Sequence, residues 1–238
     1  MKKRQALLIG GRYRRPLAGV SADIDAWGTF LCSSMGGCWR DDEVRDLSSW
    51  TVDDIRAAIK SARDNFYTMV IFAGHGEVRK DQYGFLRTYA WLNDDVAMSE
   101  HELNPGSERA TLIMDCCRKV QLQLINESME KYALDELVLN GVDTRKVYEN
   151  ELDMCETGFV KVYAADIGQS ATDDESFSRT LIEGLRDAYV HGNMGRVVNI
   201  RDAVNLAGRI LPPQQTPVYN GGRRLNHYPF AINPLVYE

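Results

Sequence analysis

Two short apolar runs in this chain each end on a residue that can do chemistry. Met69-Val70-Ile71-Phe72-Ala73 leads into Gly74-His75-Gly76, and Thr111-Leu112-Ile113-Met114 leads into Asp115-Cys116-Cys117-Arg118. Both read as buried β-strands, being continuous apolar stretches bounded by breaks. In an open α/β sheet, ligands collect at the carboxyl ends of strands. One strand end therefore delivers an imidazole and the other a thiol. A thiol attacks only as thiolate, and a free cysteine titrates at about 8.5. A neighbouring imidazole takes its proton and later protonates a leaving amine. That pairing is the chemistry of peptide-bond cleavage. Gly74 and Gly76 let backbone approach a substrate closely. The amides of Gly76 and Cys117 are candidates for stabilising a tetrahedral oxyanion. Taken singly, His75 reads as a turn histidine and Cys117 as a buried core thiol. Taken together at two strand ends, they read as base and nucleophile.

The elements that position them alternate strand and helix. Gln5 to Ile9 reads as a first strand, followed by the Gly10-Gly11 turn and an Arg-rich loop to Pro16. Val20, Ile24, Trp27 and Leu31 mark one face of a helix. Thr51 is an expected N-cap, with Asp53 and Asp54 in the first turn and Ile55, Ala58, Ile59 and Ala62 facing inward. Gly84 to Leu92 reads as a hairpin or edge strand. Val120 to Asn140 shows helical periodicity, and Gly141 to Gly158 reads as a charged surface connection or linker. Phe159 to Ala165 is a further strand. Phe177 to Val190 is a helix with Ser176 as N-cap, and a last helix runs to Ile210, stopped by Pro212-Pro213. Thr216 to Tyr219 is a closing strand. This alternation argues an α/β fold with a mostly parallel sheet.

Composition narrows the function classes. The 238 residues carry a net charge of −6, which disfavours a nucleic-acid partner. The basic residues Lys2, Lys3, Arg4, Arg12, Arg14 and Arg15 read as a solvated rim around the first strand. Ala6-Leu7-Leu8-Ile9 is too short for a signal-peptide core, and no stretch is long enough to span a membrane. The odd set Cys32, Cys38, Cys116, Cys117 and Cys155 fits a reduced, cytoplasmic setting. Cys32 and Cys38 lack a second ligand pair at zinc-finger spacing.

At the level of motifs, the chain resembles the caspase-like cysteine peptidases, the clan of caspases, metacaspases and paracaspases. Ala6-Leu7-Leu8-Ile9-Gly10 resembles the family's first strand, and Phe72-Ala73-Gly74-His75-Gly76 its histidine motif. Met114-Asp115-Cys116-Cys117-Arg118-Lys119 resembles its nucleophile motif, nearest to the paracaspase and metacaspase versions of prokaryotic type. Tyr163-Ala164-Ala165, Gln169-Ser170-Ala171 and Phe177-Ser178-Arg179-Thr180-Leu181 resemble the small-subunit strand, loop and helix. Gln215-Thr216-Pro217 resembles the entry to the closing strand. The resemblance implies a caspase-like fold, a six-stranded mostly parallel sheet with helices on both faces. It also implies one domain over 1–238: a large-subunit-like part (1–118), a linker region (119–158) and a small-subunit-like part (159–238).

By the same resemblance Cys117 is the nucleophile and His75 its partner. Asp115 stands two residues before the nucleophile, where caspases that cut after Asp have Gln. Metacaspases and paracaspases have Asp there and cut after Arg or Lys. A buried carboxylate needs a cation, and a guanidinium can pair with it bidentately. Asp23 aligns with a second acid of that pocket, although it also reads as a helix-start residue. A third acidic position falls near Ser170, a departure for which Asp166, Asp173 or Asp174 are substitutes. Cys116 reads as a small filler, or as half of a vicinal redox pair with Cys117. Self-processing, where it occurs, is expected near Arg145-Lys146 in the linker, with Lys131 a further basic position; an uncut chain is the alternative.

No cofactor is expected. Calcium enters only through the metacaspase resemblance, since the clusters Asp41-Asp42-Glu43, Asp94-Asp95 and Asp173-Asp174-Glu175 lack calcium-loop spacing. The expected partners are a protein substrate and a separate activator or sensor, in regulated proteolysis such as cell death or defence. Pro212, Pro213 and Pro217 beside the closing strand guard a sheet edge, so a monomer is expected. The other readings are a catalytically silent caspase-like binding module and a thiol redox sensor.

Overall fold

The computed structural model describes residues 2–13, 18–119, 143–171, 176–191 and 195–233. In chain order its elements are β1 (Arg4–Gly10), α1 (Ala18–Cys32), β2 (Val44–Asp46), α2 (Val52–Ser61), β3 (Tyr67–Ala73), β4 (Gly76–Lys80), β5 (Leu86–Trp91) and β6 (Ala97–Ser99). They continue with β7 (Arg109–Asp115), α3 (Thr144–Asp153), β8 (Gly158–Tyr163), α4 (Phe177–Val190), β9 (Val197–Asn199), α5 (Ile200–Ile210), β10 (Val218–Asn220) and β11 (Pro229–Ile232).

The main sheet has six strands in the order β10-β8-β7-β3-β1-β2. Every neighbouring pair is parallel except β10 with β8. This is the expected α/β architecture. Every residue of β1, β3 and β7 is buried, which is why their stretches 6–9, 69–73 and 112–114 read as apolar runs. Successive side chains leave a strand on opposite faces. Ala6, Leu8, Met69, Ile71 and Ile113 therefore join one core with residues of α1, α3, α4 and α5. Leu7, Ile9, Val70, Phe72, Leu112 and Met114 join a second core with α2 and with β5 and β6. Helices thus cover both faces.

The predicted caps are present. Thr51 Oγ1 accepts from the Asp54 amide at 3.2 Å, and Ile55, Ala58 and Ile59 are buried beneath α2. Ser176 Oγ accepts from the Arg179 amide at the start of α4. The expected hairpin at Gly84–Leu92 is part of a three-stranded antiparallel sheet, β4-β5-β6, with β5 in its centre.

The segment 141–158 differs from the expected surface connection. Its described part contains α3, capped by Asp143, with Thr144, Tyr148 and Leu152 buried. Of the charged residues that suggested a linker, Lys146 and Asp153 are exposed on that helix, whereas Glu149 is partly buried. Arg145, expected to be exposed, is partly buried too. Its guanidinium donates to both Glu43 carboxylate oxygens at 2.7 Å and pairs with Glu149. Arg4, fully buried, lies over the rings of Trp39 and Tyr148 beside the same glutamates. The helix expected over Val120–Asn140, Lys131, Asp173 and Asp174 lie outside the described residues.

Register decides what meets at the top of the sheet. Ala73, the last residue of β3, pairs with Asp115, the last residue of β7. His75 and Cys117 each lie two residues beyond that pair. Neighbouring strands are about 4.8 Å apart, so the two side chains leave the sheet beside each other.

Candidate active site

His75, Cys117, Asp23 and Asp115 line one cleft, together with Gly19, Val20, Gly74, Cys116, Ala171 and Ser176. Four of the residues singled out by sequence are therefore brought together from β3, β7 and α1. The turn that carries His75 is held tightly. The Gly74 amide donates to the Asp115 carbonyl at 3.0 Å, and the Gly11 amide to the Ala73 carbonyl at 2.8 Å. Gly74 has a φ of +149°, and a Cβ there would stand 3.1 Å from the Gly11 backbone. A Cβ on Gly76 would stand 2.4 Å from Cys116 Sγ. Both glycines are required by close approach.

His75 also has an aromatic neighbour. The ring of Tyr13 meets it edge-on at 5.6 Å and stacks on Trp91 at 4.5 Å. Arg79 covers Trp91 at 5.0 Å. The two adjacent cysteines differ sharply. Cys116 is buried, and burial pushes its thiol well above the ordinary range. It fills the space under Gly76. Cys117 is half-buried, faces the cleft, and its Sγ lies 3.4 Å from the Ala171 carbonyl.

Arg118 anchors the nucleophile loop. Its guanidinium lies over the Tyr163 ring at 3.9 Å and donates to Thr88 Oγ1 and the Ala165 carbonyl. Its amide donates to the Gln169 carbonyl at 3.0 Å, and its carbonyl accepts from the Gly168 amide at 2.9 Å. The loop after β8 is thereby tied to the residue following Cys117. Tyr163 in turn donates to Glu100, which also accepts from Lys161 and the Thr88 amide.

The acidic side of the cleft is completed by Ser176, which the sequence suggests as a helix cap, and by Ser178 and Arg179, which it places in the small-subunit-like helix motif. Asp23 and Asp115 are 6% and 7% exposed. Ser176 Oγ lies 2.8 Å from Asp23 Oδ1 and 3.3 Å from Asp115 Oδ2. The Ser178 amide donates to Asp115 Oδ2 at 2.8 Å, and Arg179 Nε to Asp23 Oδ1 at 3.2 Å. Ser178 is itself fixed from α1, its Oγ accepting from Trp27 Nε1 at 2.9 Å. Burial raises the Asp23 carboxyl to about 7, with the Asp115 charge adding to the rise and Ser176 and Arg179 opposing it. Burial also raises Asp115, against bonds from Ser178 and Ser176. Two buried carboxylates that share one hydroxyl compete for ionisation.

The loop residues expected to complete this pocket stand elsewhere. Ser170 is half-buried and does not line the cleft; the serine that does is Ser176. Asp166 is exposed and turned toward Arg118, 3.8 Å away. Among the described residues, no group of three or more His, Cys, Asp or Glu could hold a metal ion. Among the described residues, no helix is long and apolar enough to cross a membrane.

A family model for the caspase domain matches residues 3–220. The fold is similar to the crystal structure of caspase-1 from Spodoptera frugiperda, at a TM-score of 0.56 and 13% identity, covering 92% of this chain and 86% of that one. It is also similar to a structural-genomics target from Geobacter sulfurreducens, at a TM-score of 0.58 and 15% identity, covering 97% of this chain and 99% of that one. Among curated protein sequences, none matches.

Proposed function

This chain belongs to the caspase-domain family, and on that premise we propose that it is a cysteine endopeptidase that cuts after Arg, with Lys second. The observation that carries the reading is the single cleft that holds His75 and Cys117 on one side and the buried pair Asp23 and Asp115 on the other. In this mechanism His75 takes the thiol proton of Cys117, and the thiolate attacks the scissile carbonyl carbon. The amides of Gly76 and Cys117 bind the oxyanion that forms. The C–N bond breaks as His75 returns its proton to the leaving amine, leaving a thioester on Cys117. Water, deprotonated by His75, hydrolyses the thioester and frees the new carboxyl terminus. The carboxylates receive the guanidinium or ammonium group of the preceding residue. An enzyme so built suits regulated proteolysis, as in cell death or defence, under a separate activator.

Retention of both reactive side chains in one cleft weighs against a silent module. The depth of Cys116 weighs against a working redox pair, since a buried protonated thiol is a poor partner in exchange. The test is covalent labelling by an acyloxymethyl ketone peptide ending in Arg, read by intact mass and peptide mapping. One adduct on Cys117, absent from Cys117→Ala and slower for an Asp-ended reagent, is the expected result. Labelling at Cys116, or faster labelling by the Asp-ended reagent, would overturn it.

A further inference from the structure

The acidic cleft already holds a cation of the chain's own. Arg179 reaches from the first turn of α4 to Asp23 on α1, Nε to Oδ1 at 3.2 Å, with the arginine side chain 19% exposed and the carboxylate 9%. Among the described residues, the ionisable groups that face the pair come from four elements, with the thiols of Cys116 and Cys117 beside them on the loop after β7. Asp23 comes from α1, Asp115 from the end of β7, Arg179 from α4, and His75 from beyond β3 beside Cys117. Ser176 Oγ touches both carboxylates but has a single hydrogen to give. Among the described residues, these two carboxylates and one arginine sum to one negative charge. Without the arginine, a pair so deeply buried must keep a proton to avoid two adjacent charges.

We propose that Arg179 is a specificity-determining residue of the pocket: by engaging Asp23 it holds the carboxylate pair open to a single incoming cation at neutral pH. The proposal rests on the reading of the cleft as an Arg or Lys pocket. Arg179 acts through Asp23 and is a positioning residue, since substrate meets the carboxylates. Its removal has two opposite consequences. At low pH the pair retains its proton and binds a cationic side chain poorly. At high pH both carboxylates ionise unopposed, and a cation is drawn in more strongly than in the wild type. A purely structural role for Arg179 would lower activity in the same proportion at every pH.

The experiment is the pH dependence of kcat/KM between pH 5.5 and 9 for an Arg-ended fluorogenic peptide, with wild type, Arg179→Gln and Arg179→Lys. An opposite charge at this range moves a carboxyl by about 1–3 units, and a partly exposed arginine belongs at the lower end. The acid limb of Arg179→Gln is expected to move up by about one unit, with a fall of about tenfold at pH 6 carried by KM, and to cross the wild-type curve above pH 8. Arg179→Lys keeps the wild-type limb. Superimposable profiles for wild type and Arg179→Gln would overturn the proposal while leaving the pocket reading intact. A wild type that favours Asp-ended over Arg-ended peptides throughout would overturn the pocket reading itself. Should Arg179→Gln not fold, Asp23→Asn carries the test: the acid limb then moves down, because Asp115 loses its like-charged neighbour, and an unmoved limb contradicts the coupling.

Discussion

Asp23 and Asp115, far apart in the chain and carried on different elements, share one hydroxyl: Ser176 Oγ stands 2.8 Å from the first and 3.3 Å from the second. The same oxygen accepts from the Arg179 amide and so starts α4. One serine therefore joins α1, β7 and α4 at the floor of the cleft. Ser176→Ala removes both a helix cap and a bond to a buried carboxylate, and a loss of about 2 kcal/mol in unfolding free energy is expected. Urea denaturation measures it. A change below about 0.5 kcal/mol, the range of an ordinary surface substitution, would contradict the role.

The raised carboxyl of Asp23 makes two pH predictions of opposite sign. Binding of a cationic side chain needs the pair ionised, so kcat/KM for Arg-ended peptides rises as pH increases through about 7. Stability of the empty protein runs the other way. A carboxyl raised above its unfolded value adds stability below that value and loses it as pH climbs through the folded pKa. The melting temperature of wild type is expected to fall between pH 5.5 and 8 relative to Asp23→Asn. Parallel melting curves for the two proteins would show that the pair does not titrate in this window.

Gly76 lies against Cys116, with room for hydrogen only, 2.4 Å separating a built Cβ from the sulfur. Gly76→Ala must displace either the β4 turn or the nucleophile loop, and misplacement on that scale costs about 100-fold in rate. Restoring space with Gly76→Ala/Cys116→Gly is expected to recover part of it. Cys116→Ala alone keeps activity within a few fold, because the thiol there serves as volume. Loss of activity in Cys116→Ala equal to that in Cys117→Ala would assign the nucleophile to the wrong residue.

The strands at the centre of the sheet were legible because burial on both faces forces an apolar run, as in 69–73 and 112–114. His75 and Cys117 were legible for the related reason that such runs break on them. The polar strand Gly76–Lys80 gave no comparable signal, since its stability comes from pairing with β5. The helix at Thr144–Asp153 was hidden by its charged outer face, although Asp143 as cap and the spacing of Tyr148 and Leu152 are a helix signature. Ser176 and Ser178 looked like local helix residues. Their bonds to Asp23 and Asp115 join residues 153 and 63 positions apart, and no local pattern encodes such pairings.

Arg145 belongs to a partly buried cluster with Glu43, Glu149 and the fully buried Arg4. A peptidase takes its substrate extended, so a cut after Arg145 requires α3 to unwind. Intact-mass analysis of concentrated wild-type protein is expected to show no cleavage after Arg145. Glu43→Gln removes the charge of the main partner of a partly buried guanidinium, and a loss of about 1 kcal/mol in stability is expected, with cleavage after Arg145 appearing as α3 loosens. Cleavage there in the wild type, with α3 intact by hydrogen exchange, would contradict this view of the cluster.

The most direct measurement is hydrolysis of short fluorogenic peptides ending in Arg, Lys or Asp by wild type and by Cys117→Ala. Turnover in the order Arg, Lys, then Asp, abolished in the variant, is the predicted result. Turnover that survives in Cys117→Ala, or that is fastest after Asp, would contradict the assignment of the nucleophile or of the acidic pocket.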